Sequence, residues 1–347
     1  MRTAVWRWAC AAAACRWLGV AALLAESATN APPPALEKTA SPAQAVTLRW
    51  ENDAVAGNDE NYSNGIALSY SREWKGLLGC LWSWFGVDEK AEHSCSYEVG
   101  QVMITPSDTD RKNPDPKDRP YAGMLHVAAA TQVRWDNQFH GLKFVTGVAG
   151  PASLAGETQK WFHRLIGNDL PQGWDYQLEN EPIFNLVYEH RRKYRILGEA
   201  DGFSGELIPV VGGMLGNVLI QGQAGLRARL GFNIPDDFGG TLLRGFGNLP
   251  LPKAGAYDAE GRPRPAGFYV FASGGMMAVA RNLSLDGNTF HHSRHVNKRP
   301  FVPAAELGCS LWTRWGQVTA SYAAWGKEFD NQPRASSFGA IAVSVFF

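Results

Sequence analysis

Past Ala45 the chain is governed by an alternation of period two. Val46, Leu48 and Trp50 interleave with Thr47, Arg49 and Glu51, and Ile66, Leu68 and Tyr70 with Ala67, Ser69 and Ser71. Leu125, Val127, Ala129, Thr131, Val133 and Trp135 interleave with His126, Ala128, Ala130, Gln132 and Arg134. The pattern returns around Phe184, Leu186 and Tyr188, around Val318, Ala320 and Tyr322, and in the closing Ile341, Val343, Val345 and Phe347. Successive side chains of a strand point to opposite faces, so this period predicts strands with one apolar and one polar or small face. A soluble sandwich also alternates, but there the apolar face is the inner one. Here the large aromatics at strand ends, among 13 Trp, 17 Phe and 10 Tyr, point to the girdles of a membrane barrel. No apolar run after Ala45 approaches the roughly 20 residues a membrane-spanning helix needs. With 33 basic and 33 acidic residues the chain has no net charge, which argues against a nucleic-acid partner.

The N-terminus reads as an export signal. Arg2 and Arg7 precede an Ala-rich apolar run from Trp8 to Ala25, and small residues follow at Ser27 and Ala28. The expected organisation is a secretory signal over 1–28, a Pro- and Ala-rich linker over 29–45 and one barrel over 46–347. Export would remove Cys10 and Cys15. Of the remaining Cys80, Cys95 and Cys309, the first two either pair in an oxidising compartment or are unrelated thiols.

The expected fold is all-β, a transmembrane up-and-down antiparallel barrel of about 12 strands, with a short helix in an external loop. Terminal Phe347, closing an alternating strand, resembles the assembly signal of bacterial outer-membrane barrels, which makes the barrel assembly machinery an expected partner and the Gram-negative outer membrane the expected location. Strand parity places Asp53–Tyr62, Thr105–Tyr121, Gly150–Glu181 and Asn282–Arg299 outside, and leaves a long segment, Asn233–Ala266, on the periplasmic side. Gly156 to Gly167 reads as the helix, with Gln159, Phe162, His163 and Ile166 at i, i+3, i+4 and i+7 on one face. Strand phase aims Asp53 inward, and Ser63 shares the inward phase of Ala67 and Ser69. Oxygen donors at Asn52, Asp53 and Ser63, cations at Arg111 and Lys112, and His163 with Asp169 after it therefore converge from three connections on one rim.

At these residues the sequence resembles the lipid A 3′-O-deacylase family of Gram-negative outer-membrane barrels. The matching stretches are "ENDAVAGNDENYSNGIALSY", "GQVMITPSDTDRKNPDPKDRPYAG", "GPASLAGETQKWFHRLIGNDLPQGWDYQLENE" and the final "SSFGAIAVSVFF". The resemblance implies Ca²⁺-dependent hydrolysis of the 3′ ester of lipid A in lipopolysaccharide, at a site between the barrel wall and an external helix. It assigns the catalytic histidine to His163, the helix glutamine to Gln159, the Asn-Asp pair to Asn52 and Asp53, and the strand-start hydroxyl to Ser63. Asp169 matches an acidic residue that follows the helix. A family lysine falls on Arg111 by strict spacing, with Lys112 beside it. Asp53 and Ser63 are the expected calcium ligands, the outer-membrane lipids the surroundings, and a monomer the expected state.

Two other readings share the pattern. An outer-membrane phospholipase carries a histidine two residues before the serine of its "SNG", and here that position is Asn61. A porin would explain Arg49, Glu51 and Arg134 as lumen charges, but gives no reason for Gln159 and His163 to share a helix face.

Overall fold

The computed structural model describes residues 44–53, 61–76, 78–85, 87, 91–199, 201–240 and 266–347. The expected signal and Cys10 and Cys15 lie outside these residues, as does the expected linker apart from Gln44 and Ala45, which already belong to the first strand. The strands are β1 (Gln44–Asn52), β2 (Asn61–Arg72), β3 (Glu92–Thr105), β4 (Ala122–Trp135), β5 (Gln138–Ala149), β6 (Glu181–Arg192), β7 (Tyr194–Gly198), β8 (Phe203–Gly216), β9 (Leu219–Phe232), β10 (Ala266–Asn282), β11 (Phe301–Thr313), β12 (Gly316–Trp325) and β13 (Ser336–Phe346). The helices are α1 (Leu81–Trp84), α2 (Ala155–Ile166) and α3 (Leu283–Asp286). Sequential strands pair antiparallel, and β13 returns to β1. Strands β6 and β7 both pair with β8 and form one stave interrupted at Lys193, so the barrel closes with twelve staves. Closure leaves no strand edge whose amides would face lipid unpaired.

The two faces separate as the alternation predicts. Leu48, Ile66, Leu68, Val99, Val127 and Phe144 are exposed on the outside, while Arg49, Glu51, Glu98, Lys143, Glu189 and Arg229 are buried in the lumen. A one-residue slip of any strand would turn such charges to lipid, where a basic side chain at the midplane costs about 2–4 kcal/mol. The lumen is a packed set of ion pairs: Lys143 to Glu98 at 2.7 Å, Arg229 to Glu206 at 2.5 Å and Arg227 to Glu306 at 2.7 Å. This filled interior does not match the water-filled constriction that a porin needs.

The start of the long periplasmic segment has a structural role that its sequence did not disclose. Its described part, residues 233–240, turns into the lumen. Asp236 pairs with Lys193, Asp237 pairs with Arg229, and the Asp236 carbonyl accepts from Arg134 at 2.7 Å. Lys193 first, then Arg134, holds the Asp236 carboxyl well below the usual carboxylate range. Phe238 packs on Phe139, and Ile234 on Tyr269, Phe271 and Trp312. An acidic pair and two apolar anchors thus stopper the barrel from below.

At the outer end the connections are tied to one another. Arg119 reaches Glu328 at 3.0 Å, and Glu181 accepts from Asn288 and from the amide of Thr289. At the other end the β2–β3 connection folds back over the wall, with the indole of Trp82 donating to Thr131 Oγ1 at 2.9 Å. Cys80, Cys95 and Cys309 form no disulfide among the described residues.

Extracted in detergent, the chain should give a β-dominated circular-dichroism spectrum and migrate faster in gels before boiling than after. A helix-dominated spectrum or identical migration would contradict the closed barrel.

Candidate active site

The site begins with a phase change in β2. A bulge lies between Tyr62, opposite Ile104, and Asn64, opposite Met103. An extra residue on one strand reverses its phase. Tyr62 consequently points into the lumen, donating to Glu51 Oε2 at 2.6 Å, whereas the Ser63 hydroxyl meets Thr105 Oγ1 at 2.5 Å. Thr105 lies on the phase of exposed Tyr97 and Val99, the outward face of β3. The expectation that Ser63 points inward is therefore corrected: the bulge carries it to the lipid-facing side.

Asn52 is on the outward phase of Leu48 and Trp50 and is buried at the rim, its amide donating to the Ser63 carbonyl at 3.1 Å. The Asp53 amide approaches the same carbonyl at 3.4 Å, and the Asp53 side chain is buried. Asp53 directly follows the last residue of β1. Asn52, Asp53 and Ser63 form one hydrogen-bonded unit.

Helix α2 covers the same outward face. Glu157 favours its first turn, and Gly167, at φ +75°, ends it in the left-handed conformation that costs glycine nothing. Its start packs where β4 carries Gly123. A Cβ at that position would collide with Ser153 Oγ and Ala155 Cβ, so only glycine lets the helix come this close. Gln101, also outward on β3, donates to the Ser153 carbonyl at 2.6 Å. Met103, Tyr121, Ala155 and Trp174 form the small core that seats the helix on the wall.

The expected helix face is present in part. Gln159 and His163 are buried and Phe162 is half-buried, but Ile166 is 49% exposed. Ile166 is the last residue of the helix, where the face it shares with His163 opens to the surroundings. Trp174 Nε1 donates to Gln159 Oε1 at 2.7 Å. That bond engages the amide oxygen of Gln159 and directs its NH₂ away from Trp174. His163 Nδ1 lies 2.6 Å from the Asp169 carbonyl. A carbonyl only accepts, so Nδ1 carries the proton and Nε2 the lone pair. Asp169 thus orients the histidine through its main chain, and its carboxylate is exposed.

The cations sit farther out. Arg111 is half-exposed and pairs with Asp115 at 3.4 Å. The Lys117 amide first, and Arg111 after it, holds the Asp115 carboxyl below its usual range. Lys112 is exposed next to Arg111. Among the described residues no group of three or more His, Cys, Asp or Glu side chains gathers as a metal cluster. Ser63 bonds Thr105 and no histidine, so the serine-esterase arrangement is not formed. Thr105 and Trp174 escaped the reading of the sequence. The "GWDY" after the helix was the available signal for the second, and nothing marked the first.

The family model described as "Outer membrane protein LpxR" matches residues 13–347. The chain belongs to the LpxR family. LpxR from Salmonella typhimurium has the same fold, with a TM-score of 0.71 at 19% identity over 87% of this chain and 100% of that one. The β domain of the Bordetella autotransporter BrkA aligns over 88% of this chain and 98% of its own at 9% identity, with a TM-score of 0.42, too low to argue from. No curated protein matches the chain. Membership in the LpxR family bears out the resemblance read from the sequence and places the barrel in the outer membrane.

Since the seat of α2 depends on Gly123, Gly123→Val should push the helix off the wall and leave the barrel closed. We expect a loss of hydrolytic rate of about a hundredfold, the usual effect of displacing a catalytic group by roughly 1 Å, with heat-modifiable migration unchanged. Wild-type rates in this variant would show that the helix does not carry the chemistry.

Proposed function

We propose that this protein is a lipid A 3′-O-deacylase, a carboxylic ester hydrolase that releases the 3′-linked acyloxyacyl chain of lipid A by attack of a histidine-activated water. The observation that carries this reading is the His163–Asp169 bond. It fixes an otherwise ambiguous ring in the tautomer with a lone pair on Nε2, on a helix held against the lipid-facing wall. Family membership supports the same activity.

Nε2 of His163 takes a proton from water as the oxygen attacks the ester carbonyl carbon, giving a tetrahedral oxyanion. Collapse breaks the bond to the sugar oxygen, which recovers that proton from Nε2, and the acyl chain leaves as its acid. The NH₂ of Gln159, aimed by Trp174, donates to the oxyanion. Arg111 is engaged with Asp115, and Lys112 forms no ion pair among the described residues, so Lys112 is the freer cation to hold a substrate phosphate.

The rim suits Ca²⁺. Asp53 offers a buried carboxylate, and Asn52 Oδ1 and the Ser63 hydroxyl offer neutral oxygens, a hard donor set. The Ser63 carbonyl already accepts from Asn52 and Asp53, so Ser63 would contribute its hydroxyl. Three donors are well below the six to eight that Ca²⁺ takes, which leaves positions for water and substrate oxygens. Bound there, the cation would polarise the ester carbonyl.

His163→Ala should lower kcat about a hundred- to ten-thousandfold with little change in KM, as removal of a general base does. Mass spectrometry of lipid A incubated with enzyme reads the result, and near-normal turnover by His163→Gln would refute the base. Asp53→Ala, or excess chelator on the wild type, should abolish release while migration in gels stays that of the folded barrel. Persisting activity in chelator would remove calcium from the mechanism.

A further inference from the structure

The lipid-facing wall beneath the site is not smooth. A groove of about 540 Å³ crosses the outer surface of β1 to β5, lined by Leu68, Tyr97, Val99, Val127, Ala129 and Phe144. Its floor is Ala129, which stands in register between Tyr97 on β3 and Phe144 on β5. A methyl group between two aromatic rings on neighbouring staves makes a trough with raised walls. Above it on the outward face of β4 come Val127, Leu125 and then Gly123, the glycine on which α2 rests. The trough therefore lies on the same strand face as the start of α2, with Leu125 between its upper end at Val127 and Gly123.

The depth is informative. Ala129 lies six residues below Gly123. Six residues advance about 20 Å along a strand, and a stave tilted by about 40° turns that into roughly 15 Å of depth. Half of the hydrocarbon core is also roughly 15 Å. A chain whose ester sits under α2 and whose length fills one leaflet would end on Ala129. Water is excluded as occupant because the groove opens to lipid and its lining is almost wholly apolar.

We infer that this groove seats the methyl-terminal part of the acyl chain being released, and that the Tyr97–Ala129–Phe144 step sets the preferred chain length. The inference rests on the deacylase reading and adds to it a selectivity element. An acyl chain in the trough contacts a fixed surface in place of mobile lipid, so the gain is close packing and each seated methylene of the longer substrate adds dispersion contacts. A chain too short to reach the trough gains nothing from it.

The test uses full-length protein in detergent with calcium, on lipid A species carrying a decanoyl or a tetradecanoyl group at the 3′ position. Ala129→Trp and, independently, Val127→Trp fill the trough. Ala305→Trp, an outward substitution on β11, six staves away in either direction, is the control. The expected result is a rise in KM of about tenfold or more for the tetradecanoyl ester in both trough variants. The decanoyl ester should keep its KM, kcat should stay within about twofold, and the control should match wild type. Heat-modifiable migration checks folding, and the two variants are independent replicates of the same filling. If wild type cleaves both esters and the trough variants treat them as wild type does, or slow both alike, the groove plays no part in selection. If wild type cleaves neither, the deacylase reading itself falls and the groove assignment with it.

Discussion

Everything in this molecule depends on the requirement that no backbone amide be left unpaired in hydrocarbon. The sheet must close on itself, and closure fixes which face of every stave meets lipid. Once that is fixed, the charges have one place to go, and Arg49, Glu98, Lys143, Glu189 and Arg229 fill the lumen. The groups of the candidate site are then constrained by exclusion. A substrate whose acyl chains stay in the membrane can be met only from the outer face, so the site has to be assembled on the face that the alternation reserves for apolar residues. Two local departures from barrel regularity make that possible. The bulge at Ser63 brings a hydroxyl to the outside, and Gly123 removes the one side chain that would hold α2 away.

The lumen pairs are better understood as register devices than as sources of stability. A buried ion pair recovers little more than its own desolvation cost, but stripping one partner from such a pair costs about 3–5 kcal/mol. A wrong register of β3, β5 or β8 strips the pairs of Glu98, Lys143 or Glu206. The 233–240 segment extends the same logic beyond the staves. Its Asp236 and Asp237 meet Lys193, Arg134 and Arg229 at the lower end, where those cations would otherwise be concentrated.

How much of this was legible in the sequence follows from the range of each signal. The alternation is a long-range pattern repeated on many strands, and the closed all-β fold and its external connections could be read from it directly. Helix α2 was legible because a period of 3.6 stands out against a background of period two. The bulge was not, since a phase slip of one residue at the end of an alternating run looks like the end of the run. Nor was the role of Asp169. Its residue type suggested a carboxylate at work, but the atom that touches His163 is a main-chain carbonyl, which any residue type supplies. The lumen stopper was hidden for another reason: ion pairs between distant segments leave no periodic trace, and the acidic pair after Pro235 reads like any loop.

The carbonyl partner of His163 also bears on how the site handles charge. In the proposed reaction, a carboxylate at Nδ1 would stabilise the imidazolium formed when Nε2 takes a proton from water. A neutral carbonyl fixes the tautomer and the ring plane equally well but offers the cation less. In the proposed reaction that would favour return of the proton to the departing sugar oxygen. Orientation and charge stabilisation are thus divided between two parts of the site. The helix and its C-terminal turn orient His163, and in the proposed reaction Gln159 and the oxygen donors of the rim would meet the negative charge that develops on the substrate.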